Sequence, residues 1–265
     1  MKDSDSHTTE QESLNHLIQA GADIAGGATG AAVGLLLAGP VGAVAGAMAG
    51  PTLSHTLQKI GREISTRLLG KREEKRIGAA LVFAARKIEA NRTAGKAVRT
   101  DGFFTDQPDG RSPADEIAEG VLMVVQREHE ERKLPFYGNL LANLAFQPEY
   151  DRAQSNLLIQ LAQRLSYQQL CLLALVVNKA HFAMQPSYRK KPRDVSPAQI
   201  AALQQMMTMY QYGIVADASN GVWLSLGDAV PSDAQLQWPG VALYNLMELW
   251  TLPPLDVQEA AALFA

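Results

Sequence analysis

Cysteine is almost absent from this chain. Cys171 is the single one among 265 residues, which excludes an internal disulfide framework and any cysteine-cluster metal site. It lies in the apolar run Leu170-Cys171-Leu172-Leu173, with no polar neighbour to lower its pKa, so it reads as a buried structural thiol rather than a nucleophile. The usual signatures of catalysis are missing as well. There is no GxxxxGK[ST] phosphate loop, no strand-anchored GxGxxG, no HExxH and no serine-centred nucleophile elbow. His7, His16, His55, His129 and His181 are scattered without ligand spacing. No catalytic, cofactor-binding or metal-ligating residue is therefore expected, and the chain reads as a non-enzyme. Aromatics are scarce at 6%, so Gly and Ala carry much of the apolar content. A secretory signal is not expected, because Asp3, Asp5, Glu10 and Glu12 outnumber Lys2 where a basic stretch would stand.

Charge is also missing over one long internal stretch. From Ile24 to Ser54 no residue is charged, a run of 31 positions. Gly26, Gly30 and Gly34 recur every four residues in it, and Gly42, Gly46 and Gly50 do so again after Gly39-Pro40. Four-residue spacing puts each trio on one helical face, where a second backbone can approach closely. Pro40 lacks an amide donor and restrains the residue before it, so Gly39-Pro40 reads as a tight turn. A glycine costs about 1 kcal/mol relative to alanine in a water-exposed helix. A bilayer, by contrast, forces the backbone to satisfy itself and rewards close packing. The expected element is a glycine-zipper helical hairpin of membrane type over residues 21–58. Its arms, Gly21–Ala38 and Val41–Leu57, are each roughly 26 Å long at 1.5 Å per residue, short of a hydrocarbon core of about 30 Å. Resident insertion, insertion on activation and a buried soluble hairpin thus all remain open.

Positive charge concentrates directly afterwards. Lys59 to Arg99 holds 12 Lys and Arg against 4 Glu. Lys59, Arg62, Arg67, Lys71 and Arg72 form a basic flank suited to anionic headgroups and to the positive-inside rule. Membrane lipids are the expected partner, on the cytoplasmic side of a bacterial inner membrane. A homo-oligomer and a protein trigger are further expected partners. Nucleic acid is not, since the basic loop Arg189-Lys190-Lys191-Pro192-Arg193 is too short to argue it alone.

The rest reads as mainly helical. Ile60, Ile64, Leu68, Ile77, Leu81 and Ile88 follow a helical period. Ser112, with Pro113, Asp115 and Glu116 behind it, opens a helix expected to reach about Arg132. On that helix Glu128 to Lys133 forms an exposed charge run whose side chains do not converge. A helix from about Pro135 to Phe146 carries Asn139 and Asn143, buried amides four apart that suit a register lock between helices. Ser166 and Ser196-Pro197 mark further helix starts. Ser219-Asn220-Gly221 between Gly213-Ile214-Val215-Ala216 and Val222-Trp223-Leu224-Ser225-Leu226 predicts a β-hairpin, and a closing helix follows from Gly240. The expected organisation is a polar segment 1–20, the hairpin 21–58, a helical region 59–148 and a C-terminal winged-helix-like domain 149–265.

This layout resembles the abortive-infection alpha-type and related glycine-zipper proteins of bacterial phage defence. The resemblance rests on the Gly/Ala segment, on Glu128–Phe146 with its Gly138-Asn139-Leu140-Leu141-Ala142-Asn143 core, and on the Leu165-Ser166 helix start. Gly213-Ile214-Val215, with the hairpin and the helix ending in Leu246-Met247-Glu248-Leu249, adds to it. It implies a role in infection-triggered growth arrest or death and supplies no catalytic residues. Three functions follow as expectations: a membrane-perturbing defence or toxin-like effector, an exported pore-forming antibacterial protein, or a soluble helical adaptor that uses the hairpin to oligomerise.

Overall fold

The computed structural model describes Thr56, Ile60 and residues 70–108, 110–188, 195–219 and 221–265. The glycine-zipper positions Gly26, Gly30, Gly34, Gly42, Gly46 and Gly50, the turn Gly39-Pro40, and Lys59, Arg62 and Arg67 lie outside the described residues. So do 189–194 and Asn220. Among the described residues the chain is mainly helical, with one small antiparallel sheet near the C-terminus. It divides into two compact units, Met1–Ile159 and Gln160–Ala265. The division falls within a helix.

In the first unit, α1 spans Lys71–Thr93, α2 Pro113–Arg127 and α3 Leu134–Leu144. The Gly70 amide donates to the Glu73 carboxylate at 2.8 Å and starts α1. Gly95, at φ +75°, ends it: its amide bonds Arg92 O and that of Lys96 bonds Asn91 O, the paired closure of a Schellman motif. α2 starts at a reciprocal cap, in which Asp115 N–H donates to Ser112 Oγ and Ser112 N–H to the Asp115 carboxylate. Gly138 lets α3 lie against α1, because a Cβ there would stand 2.5 Å from Phe83 Cβ and 2.9 Å from Ala80 O. Asn143 meets Asn91 further along both helices, so α1 and α3 run in the same direction. Arg76, early in α1, donates to Gln126 O at the end of α2. α2 therefore runs the opposite way.

α2 stops at Arg127, several residues before the expected end near Arg132. Glu128 is extended (φ −69°, ψ 120°), and Glu131–Lys133 form a 3-10 turn leading into α3. The polar run is the connection between two helices, which changes where its side chains go.

α4, Arg152–Arg164, crosses the division. The second unit holds α5 (Tyr167–Val177), α6 (Pro197–Gln211), α7 (Trp238–Leu246) and α8 (Pro254–Ala262), with β1 (Val215–Asp217) and β2 (Ala234–Leu236). α5 is apolar on all sides and buried from Gln169 to Val176, as a helix at the centre of a core must be. It touches α6, α7, α8 and β2. Each fully buried leucine on it contributes about 1.5–3 kcal/mol. Ser166 and Ser196 cap α5 and α6 with reciprocal Gln169 and Gln199 contacts.

The sheet forms with a different partner from the one the Asn-Gly step predicts. Val215 pairs with Leu236, Ala216 with Gln235 and Asp217 with Ala234. The Asp217 carboxylate accepts from Ser219 N–H and Oγ and turns the chain as β1 ends. The amides of Leu224 and Ser225 donate to the Asp228 carboxylate and so are taken from any ladder. Trp223 is buried and stacks on Tyr210 of α6 at 4.9 Å, while Leu224 is 82% exposed. Residues 222–226 thus pack one-sidedly as a loop.

Candidate functional site

The two ends of the α1–α3 bundle are chemically different. One end gathers the C-termini of α1 and α3 and the N-terminus of α2. Ile88, Ile117, Leu141, Phe103 and Phe104 surround a small apolar pocket there, and Thr56 forms part of its wall. Thr56 and Ile60 are helical and buried, at 5% and 1% exposure, so two residues just past the Gly/Ala segment are seated in the folded body. The cavity is about 10 Å³, the space of a single water. Among the described residues its walls are apolar side chains and the Thr56 hydroxyl.

Arg99 braces this end. Its guanidinium donates to Leu144 O, Gln147 O and Tyr150 O, closing the carbonyl end of α3. It also grips Asp101 through two bonds and lies 4.1 Å from the Phe103 ring centroid. The Arg99 hydrogen bond holds the Asp101 carboxyl below the usual carboxylate range. Ala114 N–H donates to Phe103 O at 2.9 Å, tying the turn to the start of α2, and Phe104 sits edge-on to Phe103 at 5.2 Å between centroids.

The opposite end holds a closed polar cluster. Glu128, Lys133 and Tyr137 are 7%, 1% and 0% exposed. Glu128 Oε2 accepts from Lys133 Nζ at 2.5 Å and from the Tyr137 hydroxyl at 3.1 Å, and Oε1 accepts from Glu130 N–H at 2.9 Å. Burial pushes the Glu128 carboxyl up. The bonds from Lys133, Glu130 N–H and Tyr137 outweigh that and bring it below its ordinary value. Burial, then the Glu128 charge, pushes the Tyr137 phenol far up. Each partner is enclosed and engaged, so the cluster pins the α2–α3 turn. This corrects the expectation of an exposed run with divergent side chains. Because Glu128 lies beyond the helix, helical directions do not apply to it. The readable signal is that two opposed helices with starts at Pro113 and Pro135 need a turn, and this run is the chain between them.

Of the other expected site residues, Asn143 is buried and Oδ1 accepts from Asn91 Nδ2 at 2.8 Å. Asn139, half-buried, is not part of that bond. Lys71 opens α1, and Arg72 is exposed beside it. Arg72 does not line the Thr56 pocket. Sequence reasoning missed Arg99, whose only signal is a lone arginine leading into a turn, and Asn91, which reads as a helix-terminal polar residue.

Among the described residues no helix is long and apolar enough to cross a membrane, and no group of His, Cys, Asp and Glu is placed to hold a metal ion. Comparisons with protein families, with curated proteins and with solved structures find no match to this chain.

Proposed function

We propose that this protein is a non-catalytic membrane effector, in which a folded helical body carries a glycine-zipper hairpin that self-associates and perturbs a bilayer. The observation that carries the reading is the uncharged run from Ile24 to Ser54 with its two glycine series. Thr56 and Ile60, seated in the body directly behind it, support the same reading. The hairpin supplies the close-packing seams, the basic flank supplies attraction to anionic lipid, and the body provides docking for a trigger. The resemblance to abortive-infection proteins suggests growth arrest on phage infection as the setting.

The test is fractionation of cells producing the full chain or a version lacking residues 21–52, with carbonate washing of the membranes. The full chain stays in the washed membranes and the deletion is released. A folded, fully soluble full chain overturns the resident form of the reading. Loss of all toxicity and of all vesicle binding in that soluble chain overturns the reading altogether. The arms fall short of the hydrocarbon thickness by several Å, which favours a second reading: a soluble adaptor that assembles through the same glycine faces. It predicts concentration-dependent oligomers without lipid, which the 21–52 deletion abolishes.

A further inference from the structure

We infer that the Thr56 end of the first unit, with the Phe103–Phe104 turn at its rim, is the surface that seats the body on the lipid interface. The inference rests on the membrane reading above and adds which face of the body meets the lipid. Only His55 stands between Ser54, where the uncharged run ends, and Thr56. At about 3.3–3.6 Å per extended residue, the end of that run is within roughly 7 Å of Thr56. Thr56 is 5% exposed and lines the pocket with Phe103 and Phe104. Ile60, one helical turn later, is 1% exposed. The chain is thus held at two points immediately after the uncharged run, the first of them within the last turn of the expected second arm, which leaves little slack for the body to swing away. A hairpin inserted in a bilayer brings this end of the unit to the headgroup level.

The chemistry of the rim suits that position. Phe103 and Phe104 form an edge-to-face pair, and the turn places Phe104 half in solvent. A phenylalanine on an apolar face can bury at the boundary between headgroups and acyl chains, and Phe104 is the one of the pair that reaches solvent. The Asp101 charge beside them is matched by Arg99, and Lys96, at the close of α1, is exposed. The other end of the unit, marked by Arg127 at the end of α2, is about 20 Å away, since α2 has 15 residues rising 1.5 Å each.

The test uses the full chain with a single cysteine introduced at an exposed position, Thr105→Cys beside the rim or Arg127→Cys at the far end. Each carries an environment-sensitive fluorophore. Cys171 is 3% exposed, and the parent chain treated in the same way controls for its labelling. The probe is a vesicle of phosphatidylcholine and phosphatidylglycerol containing acyl-chain spin-labelled lipid. On vesicle-bound protein the label at 105 shifts to the blue and is quenched several-fold more than the label at 127. As a second measurement, Phe104→Asp lowers the vesicle-bound fraction several-fold, while Met123→Asp, on an exposed position of α2 beyond the pocket, does not. Protein that binds vesicles but shows equal or weaker quenching at 105 overturns this inference and leaves the membrane reading standing. Full chain that fails to sediment with vesicles overturns the membrane reading, and this inference with it.

Discussion

Asn91 Nδ2 donates to Asn143 Oδ1 at 2.8 Å across the seam where α3 lies along α1, with both residues at most 2% exposed. A buried amide deprived of its partner bears its desolvation cost unrelieved. Asn143→Leu is therefore expected to destabilise the chain by about 1–3 kcal/mol, read as a lower urea midpoint. Adding Asn91→Leu removes the orphaned donor. The double variant should lose less than the sum of the two single ones, and strict additivity would show that the pair is not coupled.

Two glycines in the same unit give opposite signs. A Cβ at Gly138 meets Phe83 Cβ at 2.5 Å and the backbone of Ala80 and Ala84 at 2.9 Å, so Gly138→Ala must push α1 and α3 apart. The expected cost is about 1–3 kcal/mol. A Cβ at Gly120 meets only Ile159 Cδ1, at 3.6 Å, an ordinary contact in the interior of α2. Gly120→Ala should stabilise by about 0.5–1 kcal/mol through helix propensity. Thermal unfolding of the two variants against the parent checks both signs.

The helix starts at Ser112, Ser166 and Ser196 were legible because a capping serine with an acidic or amide residue three positions on is a local device, complete within four residues. The burial of Cys171 was legible for a related reason, since it stands in a short apolar run with no charged neighbour. What could not be read was set by partners far away in sequence. The Asn-Gly step is a strong local hairpin signal, yet Asp217 and Asp228 engage the amides around it. β1 then pairs with 234–236. Glu128 and Lys133 looked solvent-bound because helical geometry was extended past the true end of α2. At the candidate site, the hydrophobicity of Phe103 and Ile88 was readable. Their meeting at Thr56 depends on three helix ends converging, which no local pattern encodes.

The Glu128–Lys133 pair makes a prediction with a definite pH direction. The folded-state carboxyl lies below its ordinary value of 4.5. The pair's contribution is therefore complete above about pH 4.5 and is lost as pH falls through the lower, folded-state value. Glu128→Gln leaves Lys133 enclosed without its counter-charge and should cost about 3–5 kcal/mol at neutral pH. The gap between parent and Glu128→Gln in urea midpoint should narrow as pH is lowered below 4.5. A constant gap down to acid pH would show that Glu128 acts through packing and not through charge. Lys133→Met combined with Glu128→Gln should recover much of the loss, because no charge is then buried alone.

The zipper prediction separates hairpin from body. Gly30 and Gly46 are the central members of the two four-residue series. A leucine at either fills the groove that lets two backbones approach, while adding apolar surface that a bilayer accepts. Gly30→Leu with Gly46→Leu should therefore leave membrane partition intact or stronger and abolish self-association and toxicity. On the membrane reading, urea unfolding of the body should not change. Cross-linking in membranes reads the association, and growth after induction reads the toxicity. A double variant that remains fully toxic and still cross-links would rule out the glycine faces as the seam. A variant that loses toxicity because it no longer reaches the membrane would place the defect in insertion instead. Measuring partition and association on the same membranes tells these outcomes apart.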